Sequence, residues 1–305
     1  MQKTQKKLAK KTIKASQKPL KIALVHDYLN EFGGAERVLK VMCEMYPDAP
    51  IYTAFAVKGS SAWKEFNNRK IVESKFAKIL KWHKLYSPLR FLAPLIWESF
   101  DFSEFDIVIS SASWYITKGI ITPPETKHVC YCHTPPRYLY GYPTALEWQK
   151  YWPIKIYANI INHNLRNYDY LAAQRVDKFV VNSQNVKNRV RKFYGKSAEI
   201  IYPPVQVEKI IKNTAKITQK EDYFLIVSRV VGAKGIDMAM KAAQNLGFKL
   251  KIVGEKAGLH FGDSQLEALK TNNIEFVGRV DDSQLFQLYA KAKAFLALAK
   301  DKILE

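Results

Sequence analysis

The stretch Lys127–Tyr140, KHVCYCHTPPRYLY, decides how this chain is read. Its first half alternates apolar side chains as a buried strand does, and it stops at His133, ahead of Thr134, Pro135 and Pro136. Proline cannot donate to a sheet ladder and drives the residue before it into extended geometry, so the strand ends there. An imidazole is thereby left at the carboxyl end of a strand, which is where open α/β sheets place their ligands.

Working outward, Asp106–Ser111 (DIVISS) and Lys21–Val25 (KIALV) are two further strands. The second leads into HDYLNEFGGAERVLKVMCEMY, where Ala35, Val38, Leu39, Met42 and Met45 recur at helical spacing after Gly33 and Gly34. A strand, a glycine loop and a helix in that order can hold an anion on the amides of the helix start. A plain tight turn is the alternative, because the loop is neither a G-x-G-x-x-G nor a Walker A sequence. Ile51–Phe55 adds a strand. Downstream of His133, the aromatics Tyr138, Tyr140, Tyr142, Trp148, Tyr151 and Trp152 crowd a loop with Gly and Pro, as a recognition surface would. A long helix is predicted over much of Ile154–Val176, and KFVVNS (Lys178–Ser183) repeats the strand-to-helix pattern. Ser183 is there either an N-cap or a ligand contact.

Ala198–Val205 and the polar run EKIIKNTAKITQKED read as a domain junction. Beyond it, strands are predicted at Tyr223–Val230, Lys249–Gly254, Ile274–Val280 and Ala294–Ala299. Helices are predicted near Asp237–Leu246, Ser264–Thr271 and Ser283–Lys293. Short apolar strands alternating with helices mean parallel sheets. The fold class is therefore α/β: a basic arm at 1–20, then two Rossmann-like, doubly wound domains at 21–205 and 206–305. The second shows four strands where about six are typical, so the domain reads as incomplete.

With 48 Lys+Arg against 28 Asp+Glu, the 305 residues carry a net charge of +20, a field that attracts phosphate groups on any partner. Eight lysines between Lys3 and Lys21 precede the first acidic residue, Asp27. They read as a solvated arm, or as a tether to a membrane or polyanion. In Lys70–Trp97, Lys75, Lys78, Lys81, Lys84 and Arg90 interleave with Phe76, Ile79, Leu80, Trp82, Leu85 and Phe91. That suits either a surface helix in the headgroup region of an anionic membrane or a helix packed on its own domain. Pro88 and Pro94 forbid one continuous helix. No apolar run approaches the roughly 20 residues of a membrane span. Cys43, Cys130 and Cys132 form no disulfide framework, which fits a reducing compartment and a cytoplasmic location, and the basic segment Lys70–Trp97 adds the inner face of the cytoplasmic membrane as the place of action.

Four stretches together resemble glycosyltransferase family 4, in particular its bacterial mannosyltransferase-like members, the group 1 glycosyltransferases. They are HDYLNEFGGAERV, DIVISSASWYITKGI, KHVCYCHTPPRYLY, and FLIVSRVVGAKGIDMAMKAAQ with FVGRVDDSQLFQLYAKAKAFL, in the family's order. The resemblance implies a GT-B fold with two Rossmann-like domains facing a cleft. It also implies transfer of a hexose, mannose by preference, from a nucleotide-diphosphate sugar with retention and without a metal ion. The acceptor it implies is lipid-linked or a polysaccharide, in cell-envelope glycan synthesis. By the same resemblance Arg229 and Lys234 hold the donor diphosphate, Gly33 and Gly34 approach it from the other domain, and Gly254, Gly278, Arg279 and Val280 surround the nucleoside. His133 contacts the transferred sugar, with Arg137 and Tyr138 on the acceptor side. His133, Arg229 and Lys234 are the expected catalytic residues.

The family's E-x7-E element should begin right after AFLALA, where this chain has Lys300–Glu305 and stops, so it reads as truncated at its carboxyl end. An inactive fragment or binding module of the same fold is the alternative function. A zinc site at His128, Cys130, Cys132 and His133 is disfavoured, because alternation in a strand turns His133 away from the other three. Specific nucleic-acid binding lacks any helix-turn-helix, zinc-finger or RRM signature.

Overall fold

The computed structural model describes residues 20–82, 85–142, 152–228, 230, 234–255 and 269–298. The chain forms two compact units, Met1–Pro136 with Asn164–Tyr202 and Arg137–His163 with Pro203–Glu305.

The first unit is built on one parallel sheet. Its strands are β1 (Ile22–His26), β2 (Ile51–Thr53), β3 (Ile71–Glu73), β4 (Ile107–Ala112), β5 (Lys127–Cys132), β6 (Lys178–Val181) and β7 (Ala198–Ile200). They lie in the order β3-β2-β1-β4-β5-β6-β7. Helices α1 (Gly34–Met45), α2 (Ser61–Phe66), α3 (Ala77–Lys81), α4 (Ala93–Glu98), α5 (Trp152–Gln174) and α6 (Gln184–Tyr194) connect them, α5 running across the division at residue 163. Parallel strands covered on both faces read as unbroken apolar runs, and Ala23, Leu24 and Val25 of β1 are fully buried. Leu24, Leu39, Ile51 and Phe66 share one core cluster between sheet and helices.

The order reverses between β1 and β4. The chain works outward from β1 to β2 and β3, then returns to β4 and works outward the other way to β7. Loops leaving β1 and β4 at their carboxyl ends therefore diverge, and the gap between them is the usual ligand position of such a sheet.

Several short elements were hidden in the sequence. The Lys70–Trp97 segment is not a surface helix but β3, the short α3, a 3-10 turn at Pro88–Leu92 and α4. Ile71 and Val72 pair with Ile51 and Tyr52 at the sheet edge, where three residues are too few for a period to show. Pro88 opens the first of the later pieces and Pro94 stands second in the other, as proline's fixed φ allows in a first turn. The presumed junction likewise contains β7 on the opposite edge and a helix, α7 (Val207–Thr214), in the second unit. Ser183 takes the first of its two expected roles: its Oγ accepts from the Val186 N–H at 3.3 Å and caps α6.

The second unit has β8 (Phe224–Val227), α8 (Ile236–Leu246), β9 (Leu250–Val253), β10 (Ile274–Gly278), α9 (Asp282–Lys291) and β11 (Ala294–Phe295). Its parallel sheet runs β10-β9-β8-β11, so the first unit's reversal recurs between β8 and β11. α7 meets α9 through Ser283 Oγ, which donates to Asn213 Oδ1 at 3.0 Å, and through Lys209 Nζ at 3.4 Å from Asp282 Oδ2. The helix expected at Ser264–Thr271 lies largely outside the described residues.

Candidate active site

In the first unit the carboxyl edge at the reversal carries a line of polar groups. His26 is the last residue of β1 and Ser111 its register partner on β4; His133 follows β5 directly. Ser111 Oγ lies 3.1 Å from His26 Nδ1 and 2.9 Å from His133 Nε2. On its other side His26 Nε2 is 3.2 Å from Glu36 Oε1, and the second oxygen, Oε2, accepts from the Gly33 N–H at 2.9 Å. The backbone of His133 is fixed as well. Its N–H donates to the Ala112 carbonyl at 2.9 Å, and its own carbonyl accepts from Asn182 Nδ2 at 3.0 Å.

Burial sets the charge states. It pushes His133 down to about 3, with His26 adding to the effect and Glu36 opposing it, so the ring is neutral near neutral pH. Burial alone would raise the Glu36 carboxyl. The hydrogen bond and charge of His26, with the Gly33 amide, instead hold it below the usual carboxylate value. Glu36 is thus an anion at the start of α1, where the helix dipole favours one.

Asp27 organises the next loop. Its Oδ2 accepts from Ser113 N–H (3.2 Å), Ser113 Oγ (2.7 Å) and Trp114 N–H (2.6 Å), and its Oδ1 accepts from Thr117 Oγ1. The loop it holds contains Ile116, the one non-glycine residue with positive φ (59°) among those described. Such a conformation in a β-branched residue persists only where its surroundings enforce it. Behind the loop, buried Lys118 pairs with buried Asp169, whose Oδ2 accepts from the Tyr194 hydroxyl at 2.8 Å.

The opposite face of β5 differs. His128 Nε2 is 2.8 Å from Ser110 Oγ, and burial pushes this ring too down to about 3. Cys130 and Cys132 are buried on that face with thiols pushed up, Cys130 to about 11. His133 turns the other way, toward Ser111. Among the described residues no group of three or more His, Cys, Asp or Glu is arranged to hold a metal ion.

Gly33 is the N-cap of α1 with extended φ, and Gly34 has open space where a Cβ would stand. Neither glycine is required by backbone strain, so the missing side chains leave the helix start uncovered. One correction to the expected anion loop follows. The Gly33 amide is already taken by Glu36, which leaves the following amides of the first turn as donors.

In the second unit the carboxyl edge gathers other expected residues. Lys234, half-buried, stands one position before Gly235, the N-cap of α8, in the connection from β8. Gly235 has φ +69°, and a Cβ there would strike the Leu298 carbonyl and side chain, so only glycine fits. Gly254 N–H donates to the Gly278 carbonyl at 2.8 Å, bringing together the loops after β9 and β10. Arg279 follows β10 with NH1 3.8 Å from Glu255 Oε2, and Val280 packs into a core cluster with Tyr223, Leu225 and Val253. Arg229 lies outside the described residues. Arg137 and Tyr138 begin the first segment of this unit, in a 3-10 turn whose Tyr138 carbonyl accepts from Asn162 Nδ2 at 3.3 Å.

Two parallel-sheet units, each with a helix start and polar side chains at its carboxyl edge, are the architecture that GT-B glycosyltransferases share. The sequence profile of Glycosyltransferase Family 4 matches residues 32–209, more than half of the chain, and that of Glycosyl transferases group 1 matches 207–302. The chain belongs to glycosyltransferase family 4. No curated protein sequence matches it. Among solved structures it resembles Anabaena Alr3699/HepE in complex with UDP (TM-score 0.59, 16% identity, 92% of this chain and 75% of that one). The same protein with UDP-glucose gives a TM-score of 0.60 at 15% identity, over 92% and 74% of the two chains. S. aureus TarM in complex with Fondaparinux, alpha-GlcNAc-glycerol and UDP gives 0.60 at 12% identity, over 92% and 81%.

Sequence reasoning singled out the glycines and His133 but passed over His26, Asp27, Glu36 and Ser111. A signal for Glu36 was present, since an acid three residues after a helix N-cap is the second half of a capping box. A signal for Ser111 was the pair of hydroxyls, Ser110 and Ser111, near the carboxyl end of an apolar strand. Their joint use is tertiary: 85 residues separate His26 from Ser111.

Proposed function

We propose that the chain transfers a hexose from a nucleotide-diphosphate sugar, with His133 against the sugar and Arg229 and Lys234 against the diphosphate. The observation that carries the reading is the ordered pair of family matches over 32–302, with His133 on the carboxyl edge beside the β1/β4 reversal. The departing nucleoside diphosphate gains negative charge as the glycosidic bond breaks. Fixed cations and helix-start amides are the groups that stabilise such charge without reorganising. Lys234 stands immediately before the α8 cap, which supports that role. Gly254, Gly278, Arg279 and Val280 take the nucleoside; the amides that follow Gly33 and Gly34 serve the phosphates. Arg137 and Tyr138 serve the acceptor.

Mannose as the sugar, retention at the anomeric carbon, independence of metal ions, and a lipid-linked or polysaccharide acceptor rest on the family resemblance. UDP is the first donor base to try, because the similar structures named above hold it, and GDP is the second. A nucleotide at about a hundred times its Kd stabilises the native state by about 2.7 kcal/mol. A clear rise in melting temperature with UDP or GDP, but not with AMP, is expected; no response to either diphosphate removes the donor-site reading.

Anionic membrane is the proposed partner surface. No helix among the described residues is long and apolar enough to cross a bilayer. Within 75–95, however, Ile79, Trp82, Phe91 and Leu95 are exposed, Trp82 by 64%, beside exposed Lys75 and Lys78. Lys81 is engaged with Glu73 at 2.9 Å and contributes less; Lys84 lies outside the described residues. A cation near an anionic leaflet contributes about 1 kcal/mol. Converting Lys75 and Lys78 to glutamate is therefore expected to weaken binding to phosphatidylserine vesicles at least about tenfold in co-sedimentation. Unchanged partitioning would show that the surface is not the contact.

A further inference from the structure

Glu36, His26, Ser111 and His133 form a continuous line of hydrogen bonds, and its direction is set at the Gly33 end. The Gly33 N–H donates to Glu36 Oε2, and the carboxylate has no proton to give, so Oε1 must accept from His26 Nε2. At about pH 8, above the ordinary imidazole range, a singly protonated His26 then offers a lone pair at Nδ1. The hydroxyl hydrogen of Ser111, 3.1 Å away, fills it. Having given its single proton, Ser111 Oγ accepts from His133 Nε2 at 2.9 Å. The neutral His133 ring carries its proton on Nε2, and Nδ1 is left as the lone-pair nitrogen.

We propose that Glu36, His26 and Ser111 are positioning residues that lock His133 in the Nε2–H tautomer, so that Nδ1 accepts a hydrogen bond from a substrate hydroxyl. An imine nitrogen repels the lone pairs of a phosphate or carboxylate oxygen and pairs with an O–H donor. The lock thus selects a sugar hydroxyl over an anionic group at this position. The choice of substrate group rests on His133 facing the sugar, as proposed above; the tautomer does not.

The same logic makes an unusual demand of one variant. In Glu36→Gln the Gly33 N–H still needs an acceptor and holds the amide oxygen, which turns the amide nitrogen toward His26. His26 must then accept at Nε2 and donate from Nδ1, Ser111 donates onward, and His133 becomes the Nδ1–H tautomer.

Long-range 1H–15N correlation spectra of the full chain, labelled on histidine at about pH 8, read this directly. His133 is assigned by the resonance lost in His133→Gln. Expected is a pyrrole-like Nε2 and a pyridine-like Nδ1 in the native chain, inverted in Glu36→Gln. The inversion is lost when Ser111→Ala is added and kept with Ser111→Thr. A native His133 protonated on Nδ1 overturns the proposal without any variant, as does a folded Glu36→Gln protein with an unchanged pattern. UDP-glucose or GDP-mannose, whichever raises the melting temperature, is then added. A shift of Nδ1 supports the hydroxyl contact. An unmoved Nδ1 overturns that contact and the sugar-facing role of His133, and leaves the lock standing.

Discussion

Replacing Asp27 with alanine is expected to cost about 3–5 kcal/mol of folding stability, a large share of the 5–15 kcal/mol of an ordinary domain. The carboxylate accepts from two backbone amides and two hydroxyls on one loop, and it is almost fully buried. Removing it strands donors that cost roughly 1–3 kcal/mol each when left buried without a partner. Ser113 and Trp114 are half-buried and can recover part of this from water, which keeps the total below the sum. Urea unfolding should show a lower midpoint with an unchanged slope, since the exposed surface on unfolding is the same. Asp27→Asn retains one acceptor oxygen and should lose less. A loss under about 1 kcal/mol in the alanine variant would mean that the loop around Ile116 supports itself.

The second large effect is acid lability. His128 and His133 titrate near 3 in the folded chain because burial disfavours their charged forms, whereas in the unfolded chain they titrate near 6.5. Below about 6.5 the unfolded state therefore binds protons that the native state refuses, and stability falls as pH falls, down to about 3. Each ring contributes a slope approaching 1.4 kcal/mol per pH unit in that window. Two together remove about 5 kcal/mol between pH 6.5 and 4.5. Glu36 acts in the same direction at the acid end, because its lowered carboxyl must be protonated as the pH falls through its folded value. Urea midpoints at descending pH should show the slope, and His128→Asn, on the far face of β5, should halve it. Stability independent of pH from 6.5 to 5 would contradict the buried neutral state of both rings.

Elements with a period long enough to register were legible before the structure. The runs around Leu24, Val108 and Phe179 are central strands, and α1 begins at Gly34, directly after the Gly33 N-cap. What escaped was short or non-local. β3 and β7 are three-residue edges whose strand character comes from pairing rather than composition. α7 was read as linker because its apolar Val207 and Ile211 alternate with charged residues and remain exposed. In the site, the single histidine was legible because two prolines mark the end of its strand. Its supports were not, because Glu36, His26 and Ser111 come from three elements that only the β1/β4 pairing brings together.

Cys43, Cys130 and Cys132 are the whole cysteine complement, and all three are buried, with Cys43 and Cys130 thiols pushed up to about 11. A thiol that is both covered and protonated is a poor nucleophile toward maleimides and disulfide reagents. To a labelling chemist the native protein is therefore a blank surface. A single cysteine placed at an exposed site such as Lys75 can carry a fluorophore or spin label with no need to strip the natural ones, and the core beneath β5 stays as it folded.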